Sequence, residues 1–174
     1  ICDQSKWLER LSRKLTTLIM LQGEVELREE SVEALLTAVK AASGGLLQEK
    51  GVELLIKCSM DTLPMDFDLM RSALVNLVEN ARRASSPGGT ILLFAHDNSI
   101  EVIDHGKGIP KEEIPRITEP FYMVDRSRSK RSGGSGLGLA LVKKIAGAHG
   151  AELVIESAEH VGTTIRLVFT ERKS

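Results

Sequence analysis

No run of roughly eighteen apolar residues occurs anywhere in this 174-residue chain, so no segment reads as a transmembrane helix. Nothing at its start resembles a signal peptide. Cysteine is scarce. Cys2 and Cys58 stand far apart without the paired spacing of a metal site, and Cys58, in an apolar run, reads as a reduced core residue. Reduced thiols fit the cytoplasm. Aromatics are few, with one Trp, one Tyr and four Phe, so the core must come from Leu, Ile, Val, Ala and Met. Neither charge sign dominates: 23 Lys and Arg face 24 Asp and Glu, for a net charge of −1. With no acidic or basic half, composition gives no support for general nucleic-acid binding. Internal repeats and low-complexity segments are absent. The first residue is Ile rather than Met, which reads as an excised piece and leaves open a membrane anchor on a parent protein.

What is present suits one domain of ordinary size plus an appendage, with a hydrophobic fraction of 42%. In residues 1–22, Leu8, Leu11, Leu15 and Leu18 step 3-4-3, widened by Trp7 and Ile19. That spacing fits a coiled-coil or bundle seam, or equally a helix packed on its own domain. Gly23 ends the pattern, and 23–174 reads as the main domain. Glu24–Arg28 alternates like an edge strand. Ser31 reads as an N-cap for a helix to about Glu49, weakened near its end by Gly44-Gly45. Val52–Cys58 is strand-like, and Pro64 and Asp66 lead into another helix. Two hairpins follow, Ile91–Ala95 with Ile100–Ile103 and Ala151–Ser157 with Thr163–Phe169. Between them lie a short polar helix over Lys111–Thr118, a charged, mobile-looking segment over 119–135, and a helix from Gly136 to about His149. Helices plus hairpins, without βαβ alternation, predict an α+β fold: a two-layer α/β sandwich whose mixed, mainly antiparallel sheet is covered by helices on one face.

The chemistry starts on the helix opened by Asp66. At about 100° per residue, Asn76, Asn80 and Arg83 share a ridge with Glu79 just beside it, while Met70, Leu74, Leu77 and Ala81 form an apolar face. Asparagine is a poor interior helix residue, so two of them a turn apart beside an arginine ask for a reason beyond a solvated surface. Asp104-His-Gly-Lys-Gly108 follows a strand end. Its carboxylate can accept from an exocyclic amine, and its glycines let the backbone approach a flat base; a plain turn is the bland alternative. Gly133-Gly-Ser-Gly-Leu-Gly138 precedes a helix, where free amides and the positive dipole end make an anion site. It matches neither a dinucleotide fingerprint nor a Walker loop. Arg126, Arg128, Lys130 and Arg131 beside it suit a triphosphate or simply a solvated charge run.

Taken together, Asn76…Asn80-Ala81, Asp104-X-Gly106-X-Gly108, Glu119-Pro-Phe121-Tyr122, Gly134-Ser-Gly136-Leu137-Gly138 and Gly162-Thr163-Thr164 follow the order of the N, G1, F, G2 and G3 boxes. Over about Glu24–Phe169 the chain resembles the ATP-binding catalytic domain of sensor histidine kinases, within the wider ATPase superfamily (GHKL, the Bergerat fold) that includes gyrase B, Hsp90 and MutL. Residues 1–22 then resemble the C-terminal part of the dimerisation domain's second helix.

The resemblance implies ATP and Mg²⁺ as cofactors. By it, Asn80 ligates Mg²⁺, Asn76 supports the metal–phosphate geometry, and Arg83 contacts phosphate where the family commonly has lysine. Asp104 accepts from adenine N6, Gly106 and Gly108 line the base pocket, and Thr163 or Thr164 lies near the adenine. Arg128 reaches the γ-phosphate. Gly134, Gly136, Leu137 and Gly138 supply the lid hinge and phosphate amides, and Phe121 anchors the lid. The implied reaction is phosphoryl transfer to a histidine, with Asn76, Glu79 and Arg128 as catalytic candidates and Glu79 orienting the incoming imidazole. Implied partners are the parent's own dimerisation and phosphoacceptor domain, a downstream response regulator and a second copy of the parent.

Two departures matter. No acceptor helix is present, and His96, His105, His149 and His160 lack its context, so the chain is expected to bind ATP without phosphorylating itself. Met123 stands where family lids often carry arginine. The alternatives are a nucleotide-dependent partner-binding switch, or pseudokinase, and a serine-directed anti-sigma-factor kinase of the same superfamily.

Overall fold

The computed structural model describes residues 2–22, 25–124 and 134–170. Its elements run α1 (Cys2–Met20), β1 (Arg28–Ser31), α2 (Val32–Lys50), β2 (Glu53–Cys58), β3 (Thr62–Met65), α3 (Phe67–Ala84), β4 (Thr90–His96), β5 (Ser99–Asp104), α4 (Gly138–Ala148), β6 (Ala151–Ala158) and β7 (Gly162–Phe169). Five strands form one sheet in the order β2-β4-β5-β7-β6, and only the β2–β4 pair is parallel. The α+β sandwich expected from the pattern of elements is thus present, with a separate β1–β3 ladder beside it.

Period-2 alternation sends Ile91, Leu93 and Ala95 of β4, Ile100 and Val102 of β5, and Ile165 and Leu167 of β7 to one face, all buried. On that face lie Val32, Leu35, Leu36 and Val39 of α2, Met70, Leu74 and Leu77 of α3, and Leu141, Val142 and Ile145 of α4. The N-cap expected at Ser31 is in place, its Oγ accepting from Ala34 N at 3.2 Å, and Asp66, which opens α3, caps it as Oδ1 accepts from Leu69 N at 3.0 Å. Asp66 N in turn donates to His149 Nε2 at 3.0 Å, which ties the end of α4 to the start of α3.

Several expectations are corrected. The strand expected at Glu24–Arg28 lies at Arg28–Ser31, pairing with Thr62–Met65. Pro64 therefore sits inside a short strand, which is tolerated because a two-stranded ladder is all edge. Gly44-Gly45 does not interrupt α2, which runs to Lys50 and ends on Gly51 in the left-handed conformation. Residues 111–118 form a run of turns, with Glu113 N bonded to Pro110 O and Ile117 N to Glu113 O, rather than a regular helix. Cys58 is exposed, with Sγ bonded to Met60 O at 3.2 Å, because it ends an edge strand instead of entering the core. Among the described residues, no helix is long and apolar enough to cross a membrane.

The opposite face of the sheet carries one charged line. Glu101, nearly buried, accepts from Arg166 Nε at 2.8 Å and lies 3.2 Å from His96 Nε2. The hydrogen bond to Asp97 and then that to Glu101 raise the His96 pKa above its ordinary 6.5. A raised folded pKa contributes stability that is complete below the unfolded value and is lost as pH rises through the folded one. His96→Gln is therefore expected to cost more stability at about pH 5.5 than at about pH 8 in denaturant titrations; an equal cost at both overturns the linkage.

Candidate functional site

The site is assembled by parity and clearance. Val102 points into the core, so Asp104, two residues on at the end of β5, points the same way and is only 6% exposed. Its Oδ1 accepts from Gly106 N at 2.9 Å, and the Thr163 amide across the ladder also favours its charged form. Burial outweighs both effects and raises its pKa above the ordinary carboxylate value. Holding Asp104 charged therefore costs stability above the unfolded pKa, and the cost is relieved as pH falls below it.

Above Asp104 lies the ridge of α3. Asn76 Nδ2 donates to Ser72 O at 2.8 Å, so its Oδ1 faces away from its own backbone. A Cβ on Gly138 would stand 3.3 Å from Asn76 Oδ1 and 3.8 Å from Asn80 Oδ1. The first residue of α4 therefore comes right up to both amides, and a side chain there would press on the Asn76 amide. Leu137 at this helix start has no side-chain capping bond, which leaves its end a ready anion site. The far end of α3 is held equally firmly. Ser85 N and Oγ bond to Ala81 O, Lys50 Nζ to Arg82 O and Arg83 O, and Lys107 N to Ala84 O. Those are the last four carbonyls of the helix, all satisfied.

One cleft of about 200 Å³ receives these pieces. Asn80, Arg83, Asp104, Gly108, Gly134, Gly136, Gly138 and Thr163 line it, with an apolar floor that includes Leu77, Val102 and Ile165. Asn80 and Arg83 of the ridge, the glycine turn and the strand-end carboxylate thus face one space, while Asn76 is buried against Gly138 and is not part of the lining. Lys107, Ile109, Ile117, Tyr122 and Ser135 also line it. Lys107, Tyr122 and Ser135 fall inside the sequence motifs but carried no role of their own there, and a lone lysine in a turn gives no further signal.

Other candidates stand around the cleft rather than in its lining. Glu79 lies beside it, with Oε1 2.5 Å from Arg83 Nη2 and Oε2 3.8 Å from Lys14 Nζ of α1. Arg83 is thereby shared between Glu79 and the cleft, and burial lowers its pKa. Leu137 is fully buried. Phe121 is 58% exposed and lies in a groove with Leu15, Leu18 and Ile19 of α1. Its backbone N bonds to Gly136 O at 2.9 Å, so its loop is stitched to the glycine turn. Thr164 pairs with Ile103 and Glu156, which puts its side chain on the opposite sheet face from Thr163. Arg126, Arg128, Lys130, Arg131 and Gly133 lie outside the described residues.

The glycines of the Asp104 loop have a reason the sequence did not supply. A Cβ at Gly106 would stand 2.3 Å from Ala84 O, one at Gly108 2.0 Å from Ala158 O, and one at Gly162 2.1 Å from Asp104 O. They are needed first so that protein backbone can meet protein backbone; Gly106 itself does not line the cleft.

Residues 65–173 match the family described as histidine kinase-, DNA gyrase B- and HSP90-like ATPase. Sensor protein SrrB of Staphylococcus aureus (strain NCTC 8325 / PS 47) is 31% identical over 94% of this chain, and the chain spans 30% of that relative's length. The crystal structure of full-length ShkA in complex with AMPPNP superposes with a TM-score of 0.78 at 25% identity, over 94% of this chain and 36% of that one. The Acinetobacter baumannii histidine kinase AdeS shares the fold, with a TM-score of 0.75 at 21% identity over 98% of this chain and 82% of that one.

Proposed function

This chain belongs to the histidine kinase-, DNA gyrase B- and HSP90-like ATPase family, and from that membership we propose that it is the ATP-binding catalytic domain of a sensor histidine kinase. It passes the γ-phosphoryl group of ATP to a histidine on a dimerisation domain. The supporting observation is the convergence on one cleft of the Asn80 amide, the uncapped start of α4 and the buried Asp104 carboxylate. A relative named as a sensor protein, and a solved neighbour whose complex holds AMPPNP, point the same way.

In this reading Asp104 accepts from the exocyclic amine of adenine, while the 106–108 loop shapes the base pocket. The start of α4 receives phosphate oxygens on its amides, and Arg83 adds charge to them. The donor set fits Mg²⁺: the metal favours oxygen ligands, completes its shell with phosphates and water, and does not require an all-protein carboxylate cage. Among the described residues no cluster of three or more His, Cys, Asp or Glu side chains forms such a cage. Asn80 would hold the metal through its amide oxygen with Asn76 in support, and the chemistry supplied there would be neutralisation of phosphate charge. Glu79, beside the cleft, orients the incoming imidazole. Residues 1–22 are the last part of the dimerisation domain's second helix, and the parent is a homodimer that passes phosphate on to a response regulator.

Labelled ATP, Mg²⁺ and a separately supplied cognate dimerisation domain are expected to give label on that domain and none on this chain. Glu79→Gln is expected to slow transfer by about tenfold or more while ATP affinity stays within about twofold. Tight ATP binding with no transfer to the cognate domain sinks the kinase reading and leaves a nucleotide-dependent switch.

A further inference from the structure

One hydroxyl beside the cleft has no role in the account above. Ile91, Asp104, Thr163 and Ser157 are direct cross-strand neighbours on β4, β5, β7 and β6, so their side chains leave the same sheet face. Ser157 Oγ has three partners. Ile109 N donates to it at 2.8 Å, Gly162 O lies 3.0 Å away, and Thr163 Oγ1 lies 2.8 Å away.

A serine hydroxyl has one proton and two lone pairs. The Ile109 amide can only donate, and the Gly162 carbonyl can only accept. The serine proton must go to Gly162, because otherwise two oxygen lone pairs confront each other at 3.0 Å. One serine lone pair takes the Ile109 proton. The other is left for the proton of Thr163. The Thr163 hydroxyl is thereby committed as a donor to Ser157, and it turns only lone pairs toward the cleft that Thr163 lines. Its neighbour Asp104, when ionised, also offers only acceptors.

We propose that Ser157 is a specificity-positioning residue: by holding the Thr163 proton it makes that hydroxyl an obligatory acceptor. Thr163 and Asp104 then take the two protons of an exocyclic amine and reject a carbonyl at the same place on the purine. Ser157 acts through Thr163 and touches no ligand itself. The inference rests on ATP being the ligand of this cleft.

The test is calorimetric titration of Mg²⁺ with ATP or ITP, which carries a carbonyl in place of the amine, into the chain and its variants. Ser157→Ala frees Thr163 to rotate and donate. The ATP-to-ITP affinity ratio is expected to fall about fivefold, chiefly through tighter ITP binding. Ser157→Thr is expected to keep the original ratio. Thr163→Val is expected to lower the ratio as well, and Ser157→Ala is expected to lower it no further on that background. A purely structural serine would weaken both nucleotides by one common factor, and that result overturns the proposal. Should Ser157→Ala not fold, an unchanged ratio in Thr163→Val overturns it instead. Failure of the unsubstituted chain to bind ATP sinks the nucleotide reading itself, whereas ATP binding with an unaltered ratio in Ser157→Ala sinks only the assignment of Ser157.

Discussion

Asp104→Asn is expected to weaken ATP binding by about 1.5–3 kcal/mol, the range for losing a hydrogen bond to a charged group with its partner left unsatisfied. The carboxylate is nearly buried, accepts from the Gly106 amide and lines the cleft. That donor orients it and leaves its other lone pairs for a ligand. Asparagine has the same shape, but half of its head is a donor. Either that NH₂ faces the incoming amine, or it faces the Gly106 amide the carboxylate now satisfies. Because burial raises the Asp104 pKa, ATP affinity is also expected to fall as acid protonates the group, and this dependence is expected to be missing in the variant. Calorimetry across pH measures both effects; unchanged affinity in Asp104→Asn would reject the adenine role.

Gly108→Ala is expected to destabilise the fold by about 2–5 kcal/mol, summing left-handed strain with overpacking. Gly108 has φ +67°, and a Cβ there would stand 2.0 Å from Ala158 O and 2.9 Å from Glu159 Cα. Neither neighbour is a flexible side chain. They are the last residue of β6 and the first of the turn that follows, whose His160 N bonds to Lys107 O at 2.8 Å, so the turn and the Asp104 loop must separate together. The matching control is Gly45→Ala in α2, where nothing lies within 4 Å of the added Cβ. That change is expected to stabilise by roughly 0.5–1 kcal/mol through helix propensity and unfolded-state entropy. Denaturant midpoints decide the matter, and equal midpoints for Gly108→Ala and the unsubstituted chain would mean the loop yields without cost.

How much of this was legible depended on distance along the chain. The Asn ridge, the Ser31 cap, the helix start at Asp66, the two hairpins and the placement of Asp104 at a strand end arise from neighbours two, three or four positions apart, and their periodicities are written in residue order. The four-residue strands β1 and β3 were not legible, since so short a run carries little periodic signal and their pairing spans all of α2. The exposure of Cys58 followed from the edge position of β2, and an apolar run gives no hint of whether its strand is central or outermost. Ser157 escaped notice because its importance lies entirely in what stands across from it on β7 and in Ile109, 48 positions away.

From the sequence alone came the chemical inventory: two amides in line, a carboxylate ending a strand, glycines opening a helix, and an apolar pattern able to bury them. Only the tertiary structure decided which of these meet. It brought Gly138 against Asn76 and Asn80, set Thr163 inward and Thr164 outward, and turned the loop glycines into clearances between backbones. The reason is that short-range order is set by torsion and side-chain period, whereas a cleft is made by contacts between segments far apart in sequence, whose separation no local pattern encodes.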